Sequence, residues 1–352
     1  MHLCDLVPFD SDVLNQPQCD HTAISNSTVS LIAPARKILN NKPMPESTEE
    51  ASDFDLGPPE YLCYRILWEL RENTGGETGR TKFHKLCILA DKKLHDEYDR
   101  DIGLPQYWYK YGKTLAESEI DDAVTFTPHS NHRRGYAYYP ADQVSESDFD
   151  RLDEDLKDDI FQVAIEVVDE HGDKDYQKLE KYQYENFPPH EFVTAYGNFR
   201  WYLSSISTDR DQKTIEYFTD PSEKSTIEEL LDEMLVSFDE DEFREIYGLY
   251  LDWDDTIRLL NEEGASAREL LDFTETFIEA IAKAVLRFKD RSHISEDRLK
   301  EWENEKEKVL NDLEKKIQRR RESALSIRSL SGELRNVSDS YNETISDELE
   351  DL

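Results

Sequence analysis

Cysteine is scarce in this chain of 352 residues: Cys4, Cys19, Cys63 and Cys87, with no CxxC pair among them. That spacing excludes a disulfide framework and a zinc ribbon, and Cys63 and Cys87 sit among apolar residues like reduced core thiols. Long apolar runs are also missing, so the expectation is a cytoplasmic chain that does not enter a membrane. Positive charge is in deficit, with 42 Lys and Arg against 79 Asp and Glu, a net charge of −37. Such a surface stays hydrated in concentrated salt, where screening removes its self-repulsion, and it points to a halophilic setting. It disfavours nucleic acid and anionic membrane except through local patches.

Catalytic and cofactor motifs are equally sparse. Gly75-Gly76-Glu77-Thr78-Gly79-Arg80-Thr81 is one residue short of a phosphate loop, has Arg80 in place of its lysine, and follows a helix pattern where a strand is needed. His129 and His132 are two imidazoles in a turn, with no Cys or acid fixed beside them by spacing to complete a metal site. No nucleophile elbow or dinucleotide fingerprint is present. The reading is non-enzymatic, with no cofactor and no metal. An unrecognised enzyme stays as an alternative.

What is there begins with hydrophobic periodicity. Residues 1–55 are poor in it and read as a disordered N-terminal segment. After Gly57-Pro58-Pro59, the residues Leu62, Cys63, Ile66, Leu67 and Leu70 form one helical stripe to about Asn73. A second helix, capped by Thr81 and running to about Tyr98, has Phe83, Leu86, Cys87, Ala90, Leu94 and Tyr98 on one face. Arg80, Lys82, Lys85, Lys92 and Lys93 lie mostly off that face. They form an island of positive charge with no acid between Thr78 and Ala90. Gln106–Tyr111 is aromatic and reads as a strand. Two more short strands are expected at 123–127 and 135–139, around a turn carrying Arg133 and Arg134.

This order gives a mainly α fold with a small antiparallel sheet, a winged-helix-like head over 56–206. Within it, a helix from Ser145 sets Phe149, Leu152, Leu156, Ile160, Val163 and Val167 against a face of acids. Residues 207–221 read as a linker. A helical region over 222–322 follows, opened by a capping box at Ser225–Glu228, and Ser266–Glu269 opens a further helix. It ends in a long charged helix with partial heptad spacing, suited to a partner helix or to oligomer formation through the C-terminal helices. Residues 323–352 read as a disordered acidic tail.

The run Thr81-Lys82-Phe83-His84-Lys85-Leu86-Cys87-Ile88-Leu89-Ala90-Asp91, followed by Tyr107-Trp108-Tyr109-Lys110-Tyr111-Gly112, resembles the SocA-like or Panacea antitoxin-associated domain. Thr81, Lys82, Lys85, Leu86, Leu89, Ala90, Asp91, Tyr111 and Gly112 match its motif. Lys113 departs from it where the family has proline, and His84 and Cys87 stand at positions that are usually aliphatic or neutral. The likeness spans about 61–112 and extends in weaker form to 201. It implies a Panacea-like head that recognises a protein, either a toxin or a client for a protease.

On this reading Arg80, Lys82, His84, Lys85, Lys92 and Lys93, with Arg133 and Arg134, are the candidate partner- or DNA-binding residues. Thr81, Leu86, Leu89, Ala90, Asp91, Tyr111 and Gly112 are structural. The main alternative is a winged-helix DNA-binding regulator whose phosphate contacts come from the same cations. A third reading keeps those cations at home, paired with the acidic helix from Ser145.

Overall fold

The computed structural model describes residues 56–74, 78–121, 124, 136–137, 144–211 and 221–350. Of these, 74, 136–137, 208–211, 221–223, 327 and 330–350 are described as backbone alone. The first helix, α1 (Pro58–Thr74), starts at the proline, whose missing N–H costs nothing in a first turn. After β1 (Thr78–Gly79), α2 runs Arg80–Tyr98 and stops at Asp99, which adopts a left-handed conformation with φ of 54°. Gly79 stands at the cap of α2 without a side-chain hydrogen bond, so Thr81 lies inside the helix. β2 (Gln106–Tyr109) and β3 (Gly112–Leu115) form a tight antiparallel hairpin turning at Lys110-Tyr111.

The later strands depart from the winged-helix expectation. β4 (Tyr136–Ala137) pairs with β1, and β5 (Arg291–Ser292) pairs with the outer edge of β2. The three-stranded sheet is thus ordered β3-β2-β5, its third strand supplied from far along the chain. The expected strand at 123–127 lies outside the described residues except for Val124, which is in a helical turn, and so does most of 135–139.

The helix expected from Ser145 is two elements. A 3₁₀ turn, Glu146–Phe149, is closed by a reciprocal cap between Ser145 and Asp148. Asp153 then caps α3 (Glu154–His171). α4 (Tyr176–Asn186) and α5 (Glu191–Asp211) follow. α6 (Pro221–Ser237) starts at its proline rather than at the expected Ser225 box, since proline at the first position needs no side-chain cap. After α7 (Tyr247–Glu262), the box at Ser266–Glu269 opens α8 (Ala267–Ile281) as expected. One π-helical turn, Ala282–Leu286, continues α8.

The last helix, α9, spans Glu296–Glu350. Its final part replaces the disordered tail expected after Ser323. The polar composition there hid a helical spacing of apolar residues, and no proline interrupts it.

From Ser52 onward the chain is one unit by its contacts, built on two hydrophobic clusters. One joins α1, α2 and α3, from Tyr61 to Leu179. The other joins α5 to α9 and takes in Trp108 and Tyr184 from earlier in the chain. The handover falls within α4, between Leu179 and Tyr184, well before the expected linker. The hairpin is the joint: Trp108 is fully buried in the second cluster, while Leu115 belongs to the first.

Candidate functional site

The cationic helix α2 is where sequence reasoning placed the binding surface. Every residue from Phe83 to Ala90 is buried, Lys85 included. A helix has neighbours on all sides at this depth only when it is central, and α1, α3, α4 and the hairpin surround this one. Its cations are therefore drawn inward.

Lys85 is 2% exposed. Its ammonium donates to the carbonyl oxygens of Tyr111 and Lys113 (2.8 Å to the latter) and to Oε1 of Gln183 at 2.8 Å. Three donors meet three acceptors, which satisfies the group. Tyr184 adds a hydroxyl donated to the carbonyl of Lys110 at 2.8 Å. The carbonyls of the hairpin turn are thus held by two side chains. Gly112 fits because its φ of +90° suits glycine, and a Cβ there would stand 2.6 Å from Gln183 Oε1 and 2.7 Å from Lys85 Nζ. The two motif positions Lys85 and Gly112 are one device for closing a turn.

Beyond Lys85 the charges alternate across the joint. Glu180, 1% exposed, accepts from Arg200 at 2.6 Å, Arg200 donates to Glu275 at 3.0 Å, and Lys110 lies 3.1 Å from Glu275. Burial pushes the Glu180 carboxyl up, against the pull of Arg200 and Lys85. Burial likewise pushes the Lys85 ammonium down, with Glu180 holding it up. The row links α2, α4, α5, α8 and the hairpin with three cations and two acids.

A second cluster is built on the adjacent residue, His84. His84 Nε2 is 2.6 Å from Glu117, and its Nδ1 is 2.7 Å from the Thr114 hydroxyl. Arg80 makes a two-pronged contact with the same Glu117, its Nε at 3.0 Å. Burial holds the His84 imidazole below its ordinary value, more than Glu117 can restore. Burial pushes the Glu117 carboxyl up, but His84 and Arg80 outweigh it and leave it low. A neutral ring fits, with Nε2–H donated to the carboxylate and Nδ1 accepting from Thr114.

The other candidates are partnered too. Lys82 donates to the carbonyl of Gly172 at the end of α3. Lys93 meets Glu166 of α3 at 3.1 Å and Glu97 at 3.4 Å, and Lys92 meets Asp96 at 2.7 Å. His84 and Lys85 are too deep to touch an outside partner, which corrects their assignment to a binding surface. Arg80, Lys92 and Lys93 keep surface positions, paired there. Arg133 and Arg134, with His129 and His132, lie outside the described residues. Of the structural positions, Leu86, Leu89 and Ala90 are core, and Thr81 lies half-buried in the first turn of α2. Asp91 accepts from Gln106, and burial pushes its carboxyl up to about 6.

Elsewhere, an open cleft of about 600 Å³ lies beside the π turn, lined by Glu242, Phe243, Val285, Phe288, Lys289 and Lys306 among others. Its lysines are taken, Lys289 by Glu242 at 2.8 Å and Lys306 by Glu245. Among the described residues no group of His, Cys, Asp and Glu could hold a metal ion, and no helix is long and apolar enough to cross a membrane.

The feature that the sequence undervalued is α9. Fifty-five residues at 1.5 Å each make a rod about 80 Å long. Trp302, Leu313, Ile317 and Ala324 are buried along one face of it, against the π turn, α7 and α8. Among the described side chains, the last of α9 to meet the body is Arg328, 3.7 Å from Glu262 and 3.6 Å from Glu263 at the end of α7. The helical backbone continues for 22 residues more, about 33 Å. Over that length the sequence repeats Leu330, Leu334, Val337, Tyr341 and Ile345 at steps of three and four, a second stripe turned about a quarter of a turn from the buried one.

Compared with known proteins, the chain matches no family model, no curated protein and no solved structure.

Proposed function

We propose that the protein is a non-enzymatic protein-interaction module, antitoxin-like in the sense of the SocA-like resemblance, and that its docking element is the C-terminal half of α9. One observation carries the reading: beyond Ala324, the last side chain of α9 described as buried, a further apolar stripe runs at steps of three and four from Leu330 to Ile345 along helical backbone. A stripe of that length is the usual means by which one helix recognises another. The α2 motif then serves the fold of the head rather than recognition. The buried thiols Cys63 and Cys87 suit a cytoplasmic setting. The nucleic-acid alternative loses support, since Lys85 and Lys82, its phosphate-binding candidates, are spent on backbone carbonyls.

The test compares the full chain with residues 1–328 by native mass spectrometry after mild purification from the source cells. The expected result is a stoichiometric protein complex for the full chain, containing either a second protein or a second copy, and none for the shortened chain. A full chain without any protein partner, or a complex that survives the truncation, would overturn the reading.

A further inference from the structure

The charges along α9 point to the occupant of its stripe. Residues 315–321 hold five cations, Lys315, Lys316, Arg319, Arg320 and Arg321, and no acid. In a protein of net charge −37, Arg319 and Arg320 have no ion pair among the described residues, and Arg319 is exposed. Among the described residues, Arg321 reaches only Asp252, at 3.7 Å, and Lys315 only its neighbour Asp312, at 3.9 Å. Residues 329–350 of the same helix are the reverse, with six acids against the single base Arg335. One helix therefore carries a cationic middle and an anionic end.

We infer that the docking half of α9 pairs with the α9 of a second copy of this chain, antiparallel, with the two-fold axis near Gly332. This rests on α9 being the docking element. A two-fold at Gly332 sets 315–321 of one copy against 343–349 of the other, which holds Glu343, Asp347 and Glu348. A parallel pair would instead place cations on cations and acids on acids, a like-charge arrangement that costs energy at every turn. A two-fold interface also uses the same patch twice, so each copy contributes one cationic and one anionic half.

A pair of this kind is read by distance. In a chain with Cys4→Ser and Cys19→Ser, leaving only the buried Cys63 and Cys87, Ser346→Cys carries one spin label per copy. Antiparallel pairing about Gly332 separates the two labels by 28 residues of helix, about 42 Å, whereas a parallel pair holds them within about 20 Å. Sedimentation supplies the second measurement. Reversing the tail charges (Glu343→Lys, Asp347→Lys, Glu348→Lys) weakens the dimer by about tenfold or more. Adding Arg319→Glu and Arg320→Glu to that same chain restores it.

A label distance near 42 Å with rescue by the double reversal supports the proposal. A monomer at tens of micromolar, a short label distance, or reversal without rescue overturns it. A full chain that is monomeric alone but binds a different protein through residues after 328 ends this inference and leaves the proposed function standing. Loss of every complex ends both.

Discussion

Two helices in this acidic protein carry concentrated positive charge, and they use it in opposite ways. In α2 the cations sit on a helix enclosed by α1, α3, α4 and the hairpin, and each has a partner of its own chain: a carbonyl for Lys82, a carboxylate for Lys93, and three acceptors for Lys85. In α9 the helix is covered on one face only, and Arg319 and Arg320 have none among the described residues. Charge density alone does not distinguish them, since both stand out against the same negative background. The number of faces a helix buries does. A cation on a central helix must be neutralised internally, because desolvating it unpaired costs several kcal/mol. A cation on a one-sided helix has no such constraint and is free for another molecule.

The sharpest way to break this comparison is Lys85→Met. Removing the ammonium strands the carbonyls of Tyr111 and Lys113 and the amide oxygen of Gln183 in a buried site, and leaves Arg200 as the partner of the buried Glu180. The expected loss is about 3–5 kcal/mol, the usual cost of deleting one partner from a buried charged network. Urea denaturation followed by circular dichroism measures it. Arg319→Ala, made alongside, is expected to change stability by less than about 0.5 kcal/mol. If Lys85→Met is as mild as Arg319→Ala, the inward assignment of the α2 cations is wrong.

Much of the frame was legible before any coordinates. Pro58, the Ser266–Glu269 cap and the aromatic strand at Gln106 act through local chemistry, which a sequence displays. The mainly helical fold with a small antiparallel sheet and a helical C-terminal region followed from the same periodicities. Lys85 was not legible. Periodicity places a lysine between apolar columns and leaves it to solvent, and only the arrival of the Tyr111-Gly112 turn and α4 over that column turns it into core. The signal in the sequence was Gly112 at the end of the aromatic run, a residue type suited to the positive φ it adopts there and to a turn whose carbonyls need donors. Nor was the domain division legible. Most of the run expected as a linker, 207–221, lies outside the described residues, and α5 before it packs with α6 and α8 after it. The end of α9 was missed because composition was weighed above spacing.

His84 gives a smaller effect, with a sign that follows from its burial. Its folded pKa lies below the ordinary value of about 6.5, so the unfolded chain binds more protons and stability rises with pH. The contribution is complete above about 6.5 and is lost as pH falls through the folded value. Glu117, also held low, acts in the same direction at more acid pH. Asp91 acts in the opposite sense: with its carboxyl raised to about 6, it favours the folded state at low pH and loses that contribution as pH rises through 6. The comparison must therefore be between the wild-type chain and His84→Gln, in which only the imidazole titration is removed. Between pH 8 and pH 5 the wild-type chain is expected to lose stability relative to His84→Gln in urea titrations. A difference that is flat across this range, or of opposite slope, means that the ring is protonated in the fold and is an ion-pair partner of Glu117.

The smallest effect belongs to the α2 cations that stayed at the surface. Lys92 pairs with Asp96 one turn on, with both groups about half exposed, and Lys93 is shared between Glu97 and Glu166. Exposed pairs at this spacing contribute about 0.2–0.5 kcal/mol each, and salt screens them. Lys92→Ala is accordingly expected to cost no more than about 0.5 kcal/mol at low salt and less in 1 M salt. Lys93→Ala should cost slightly more, because its second partner lies on α3 and the pair ties two helices together. Unfolding at two salt concentrations separates the cases. A salt-insensitive loss above about 1 kcal/mol at Lys92 would place that residue among the enclosed cations, and the boundary between the inner and outer faces of α2 would have to move outward by one turn.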